Sequence, residues 1–117
     1  MFAIAEKETF NAEAVQDVLN EASMAARTAA KDFYNKHGDR DACGFAWVNI
    51  YKVKGNTKLG KMLKAAGVRQ DYTKAFQIWN PSGMGCQNVD TLEAGAEAAA
   101  KVFEKYGFTA YAGSRLD

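Results

Sequence analysis

Residues 44–53 set the tightest limit on what this chain can fold into. Phe45, Trp47, Asn49 and Tyr51 fall on one side of a two-residue period, and Ala46, Val48 and Ile50 on the other. Side chains alternate across a strand, so both faces of this one carry apolar groups. A strand of that kind belongs inside a sheet rather than at its edge. Its two faces are not equal, because one is aromatic and the other aliphatic. If helices cover the aliphatic face, the rings are left open to a partner or a ligand. If helices cover the aromatic face, the rings simply fill a core.

The rest of the pattern supplies the helices. Val15, Val18, Leu19, Ala22, Ala26, Ala29, Ala30 and Phe33 recur at helical spacing and predict a first helix over 11–37. Thr9 or Asn11 can cap its start and Gly38 its end. A short second helix is expected from Asn56 or Thr57, burying Leu59, Met62, Leu63 and Ala66 and stopping at Gly67. A strand over 74–79 ends at Pro81, which cannot donate to a sheet ladder. Asp90, Thr91, Leu92 and Glu93 match a capping box, with Asp90 as the cap of a third helix that runs to Tyr106. Gly95 inside that helix costs about 1 kcal/mol relative to alanine, which close approach of another backbone would explain. Gly107 closes the helix and a last strand follows over 108–112. The expected fold is an α+β two-layer sandwich of three helices on a small sheet of three strands, or four, in the order αβαβαβ. The expected core includes Val15, Leu19, Ala26, Phe33, Val48, Ile50, Leu63, Ile78, Leu92, Ala99 and Phe103.

The length fits one domain, 1–117, with residues 1–9 as a peripheral extension. No apolar run approaches the roughly 20 residues that span a bilayer. Glu6, Lys7 and Glu8 stand where a signal peptide needs an apolar core, so a cytoplasmic location is expected. Cys43 and Cys86 are too few for a disulfide scaffold and read as free thiols. No ligand spacing supports a metal, and no cofactor is expected. His37 with Cys86 does not form a credible nucleophilic pair, because nothing in the pattern brings them together.

Net charge is +1, but residues 52–74 carry seven basic residues against Asp71 alone. The segments on either side are acidic on balance. Phosphate-binding motifs fail: Ser82-Gly83-Met84-Gly85 is followed by Cys86-Gln87 where a phosphate loop needs Lys-Ser or Lys-Thr.

From about Asp41 onward the chain resembles a group of small uncharacterised proteins of tailed bacteriophages. The likeness rests on Cys43-Gly44-Phe45-Ala46-Trp47-Val48, on Ile78-Trp79-Asn80, and on Ala110-Tyr111-Ala112-Gly113-Ser114-Arg115-Leu116-Asp117. It implies a phage-encoded accessory protein acting in an infected bacterial cell, and it implies no catalytic residues.

Two functional expectations follow. The first is binding without catalysis, to a second copy of the chain or to a host or phage protein. Its recognition spot is the loop 79–90, with Trp79, Asn80, Gln87 and Asn88 converging with Arg115. The alternative is single-stranded nucleic-acid binding. There Phe45, Trp47 and Tyr51 stack on bases, while Lys58, Lys61, Lys64 and Arg69 contact phosphates.

Overall fold

A computed structural model describes residues 12–37, 44–71, 74–83 and 88–116. The elements run α1 (Ala12–His37), β1 (Gly44–Tyr51), α2 (Lys58–Ala65), β2 (Arg69–Gln70), β3 (Phe76–Trp79), α3 (Val89–Lys105) and β4 (Thr109–Leu116). The strands form one sheet in the order β2-β3-β1-β4, with every neighbouring pair antiparallel. The expected α+β fold is present, and its sheet has four strands. From β1 onward the connectivity is the split β-α-β-β-α-β pattern, preceded by the long helix α1. The additional strand, β2, is two residues long and shows no alternation that a sequence could display.

Local chemistry explains where each helix begins and ends. Thr57 caps α2 from the extended region, its Oγ1 accepting from Gly60 N at 3.1 Å. Gly67 then adopts a φ of +94°, the left-handed conformation that ends a helix. The cap of α3 differs from the expected one. Asn88, not Asp90, stands at that position, and its Oδ1 accepts from Thr91 N at 3.0 Å. Both residues fit the pattern of a polar cap three positions before a first-turn amide. Asn88 takes the role because it is buried where the orphan amides need a partner. Glu93 does not return to the cap, and its carboxylate accepts from Ser114 Oγ on β4 instead.

The aliphatic face of β1 meets the helices. Ala46, Val48 and Ile50 are buried against Leu92, Ala96, Ala99 and Phe103 of α3, and α1 adds Val15, Val18, Ala22 and Ala26. Full burial of a valine or isoleucine is worth about 1.5–3 kcal/mol, so this layer is the main source of stability. Gly95 is the crossing point of α1 and α3. A Cβ there would lie 3.0 Å from Ala26 O, so the helices approach only because the side chain is missing. Leu19, Phe33 and Ile78, expected in the core, are only partly buried. Phe33 lies near the C-terminal end of α1 and stacks on His37, with ring centroids 4.3 Å apart. Glu21 of α1 binds Lys105 Nζ and Tyr106 OH at the far end of α3. The Lys105 hydrogen bond, followed by that from Tyr106, holds the Glu21 carboxyl below its ordinary range.

Among the described residues, no helix is long and apolar enough to cross a membrane.

Candidate binding face

Because the helices take the aliphatic side of β1, the other side of the sheet carries the aromatic residues. The strand registers assemble them into rows. Trp47 stands opposite Trp79 on β3 and Gly113 on β4. Asn49 stands opposite Gln77 and Tyr111, and Gln77 in turn opposite Arg69 on β2. Phe45 pairs with Arg115, and Tyr51 with Thr109. Phe45 (40%), Tyr51 (39%), Trp79 (44%) and Tyr111 (62%) are all exposed, which is unusual for four large rings on one face.

Two aromatic groups lie on this surface. Trp47 and Trp79 have ring centroids 4.9 Å apart, and Phe45 meets Trp79 edge-on at 6.2 Å. The Arg115 guanidinium sits 5.5 Å from the Phe45 ring centre, within cation–π range. At the other end of β1, Tyr51 and Tyr111 are 5.9 Å apart. Between the groups runs a polar chain. Trp79 Nε1 donates to Gln77 Oε1 at 3.2 Å, and Gln77 Nε2 donates to Asn49 Oδ1 at 2.9 Å. This relay fixes the orientation of Trp79 and of both amides.

Trp47 is held flat by what β4 lacks. A Cβ on Gly113 would come within 2.6 Å of the indole atoms Cε2 and Nε1. The ring therefore lies directly on the β4 backbone. Its Nε1 is buried and has no hydrogen-bond partner among the described residues, an arrangement that costs about 1–3 kcal/mol.

The charge on the face is one-sided. None of the eleven paired positions facing this way is acidic, and two are arginines, Arg69 and Arg115. Beyond Tyr51, at the end of the sheet, an open groove is lined by Lys52, Lys54, Lys61, Lys64 and Lys74.

The residues singled out from the sequence distribute over these features unevenly. Phe45, Trp47, Tyr51 and Arg69 share the open face, as do Trp79 and Arg115. Lys61 and Lys64 line the groove, whereas Lys58 is exposed outside it. Asn88 is turned inward as a helix cap. Asn80 adopts a φ of +45°, and its amide donates to Ala46 O at 2.9 Å while its Oδ1 accepts from Ser82 Oγ at 3.1 Å. Asn80 and Asn88 thus serve the turn and the helix. Gln87, Cys43 and Cys86 lie outside the described residues. Asn49 shares its strand period with the rings but was not singled out as a site residue, whereas Tyr111 and Gln77 come to the face only through the strand register. Among the described residues no cluster of three His, Cys, Asp or Glu side chains could hold a metal ion.

Comparison of the chain with protein-family models, with curated proteins and with solved structures gives no match.

Proposed function

We propose that this protein binds single-stranded nucleic acid on the open face of its sheet. One observation carries the reading: the helices cover the aliphatic side of β1 and leave five rings exposed or half-exposed, with arginines and no acid among them. Bases stack on such rings at about 1–3 kcal/mol each. Three stacked bases at a middle value supply roughly 6 kcal/mol, which alone corresponds to a Kd of tens of micromolar. Phosphate contacts from Arg69 and Arg115 add to this in a salt-dependent way. RNA-recognition modules stack bases on aromatic residues of a four-stranded sheet, which is support by analogy of architecture only. The chain's likeness to phage proteins suggests an infected cell as the setting.

Self-association through the same face is the second reading, because an aromatic patch of this kind is often covered by a partner. A face-to-face pair of identical surfaces would need acid to answer its arginines. This face has none, which favours a polyanion.

The chain's two tryptophans, Trp47 and Trp79, both sit on this face, so intrinsic fluorescence reports on it directly. Titration with a ten-nucleotide oligothymidylate at low salt should quench the emission. Trp79→Ala should weaken binding about thirtyfold, the equivalent of one lost stacking contact at the same middle value. Unchanged fluorescence at low salt and high oligonucleotide concentration, together with a dimeric mass indifferent to salt, would establish the self-association reading instead.

A further inference from the structure

We infer that the lysine groove at the end of the sheet is a phosphate track that takes the backbone of the strand as it leaves Tyr51. This inference rests on the nucleic-acid reading and adds a second, chemically distinct subsite to it.

The groove is built from four separate pieces of chain. Lys52 and Lys54 lie on the connection leaving β1, Lys61 and Lys64 on α2, Gln70 on β2, and Lys74 on the turn entering β3. Each piece is pinned. Lys54 O accepts from Thr57 N at 3.1 Å and from Thr57 Oγ1 at 2.6 Å. Gln70 Nε2 donates to Lys74 O at 2.9 Å, which fixes the turn against β2. Lys64 Nζ lies close over Gly55, beside the Gln70 amide. A Cβ on Gly55 would meet both, at 2.8 Å and 2.9 Å. The lysines are therefore presented by a fixed frame and not by loose loops.

No acid lines the groove, and none of its five lysines is in an ion pair among the described residues. Asp71, the single acid of this segment, accepts from Ala75 N at 3.0 Å and holds the β3 turn. Five neighbouring cations without counter-charge repel one another, and an anion relieves that repulsion.

Two of the lysines also stand where lysine is locally unfavourable. Lys52 has a φ of +64° and Lys74 a φ of +69°. Glycine adopts these dihedrals freely, whereas a side chain is strained there. Folding therefore gains nothing from lysine at either position, and what the two contribute is charge at the rim of one groove.

The position of the groove selects the ligand. Lys52 follows Tyr51 directly, so a strand stacked on Tyr51 reaches the groove without a gap. Among the described residues, no aromatic side chain lines the groove to hold a base. Charge without stacking suits the phosphate backbone rather than a free nucleoside.

The test combines three variants with two probes. With the oligothymidylate, Lys61→Gln/Lys64→Gln should lower the slope of log K against log salt by about 0.7 per lysine removed, whereas Trp79→Ala should leave the slope unchanged. Lys52→Gly/Lys74→Gly should lose slope to the same extent while melting no lower than the wild type, an outcome that a purely structural role for these lysines does not give. With inorganic tripolyphosphate as the base-free probe, amide resonances of residues 52–56 and 70 should move while both indole resonances stay in place. Slopes equal to wild type in both lysine pairs, or tripolyphosphate shifts spread evenly over the surface, would overturn the groove. A wild type that the oligonucleotide does not quench would instead remove the stacking face, and the tripolyphosphate arm would still judge the groove alone.

Discussion

Replacing Gly60 by alanine sets two physical effects against each other, and the structure decides between them. Gly60 is in the first turn of α2, where helix propensity alone favours alanine by about 1 kcal/mol. A Cβ at that position, however, would lie 2.1 Å from Lys54 O and 2.9 Å from Gly55 Cα. Both are backbone atoms, so no side chain can swing aside. The connection leaving β1 would have to retreat by roughly 1 Å to restore ordinary contact, an overpacking strain of about 1–3 kcal/mol. That movement also loosens the two hydrogen bonds from Thr57 to Lys54 O, each worth about 1 kcal/mol. The balance is a net loss of about 1–3 kcal/mol. With an m-value of about 2 kcal/mol per molar urea, the midpoint should fall by about 1 M at unchanged m. Because the same carbonyl holds Lys52 and Lys54 opposite α2, the salt dependence of oligonucleotide binding should weaken as well. A Gly60→Ala variant as stable as wild type, or more stable, would show that α2 does not press on this connection and would refute the frame argued for the groove.

Two further outcomes follow from the helix ends. Asn88→Ala removes the cap of α3 and should cost about 1–2 kcal/mol in urea unfolding, more than Asp90→Ala, since Asn88 and not Asp90 meets the Thr91 amide. Glu21→Gln should destabilise the α1–α3 contact at neutral pH. The folded-state carboxyl is held below its ordinary range, so its contribution is complete above the unfolded value and is lost as pH falls through the folded one. The gap between wild type and variant should accordingly close in acid, and a gap that widens there would contradict the assignment.

Much of this arrangement could be read from residues 44–53, because a two-residue period with unlike faces fixes both the strand and its place inside the sheet. The helix ends at Gly67 and Gly107 were legible for similar reasons, each being a residue type with one strong local preference, while the start of α2 was narrowed to Asn56 or Thr57 and the structure gives Thr57. The close approach at Gly95 was legible too, as a cost that needed a cause. The pairing of β1 with β3 and β4 was not. Tyr111 beside Tyr51, and Arg115 over Phe45, follow from strand register, which local pattern does not encode. Gly113 and Ser114 interrupt the alternation of β4, so its true length was hidden, and the packing of Trp47 on Gly113 with it. The cap of α3 was ambiguous because Asn88 and Asp90 each stand three residues before a first-turn amide. Lys52 and Lys74 could be read only as members of the basic segment 52–74, since local pattern does not encode their shared groove or their left-handed backbone.

The position of β4 has a consequence for how the chain is made. All eight of its residues pair with β1, from Gly44 opposite Leu116 to Tyr51 opposite Thr109. During synthesis β1 emerges long before its second neighbour exists. Until residues 109–116 are released, one whole side of β1 offers unpaired amides and carbonyls beside a row of exposed rings, the kind of edge that recruits other strands. A premature stop before Thr109 would therefore do more than shorten the protein. It would leave a nascent chain whose most aromatic strand is also its stickiest edge, so completion of the last eight paired residues doubles as a safeguard against aggregation.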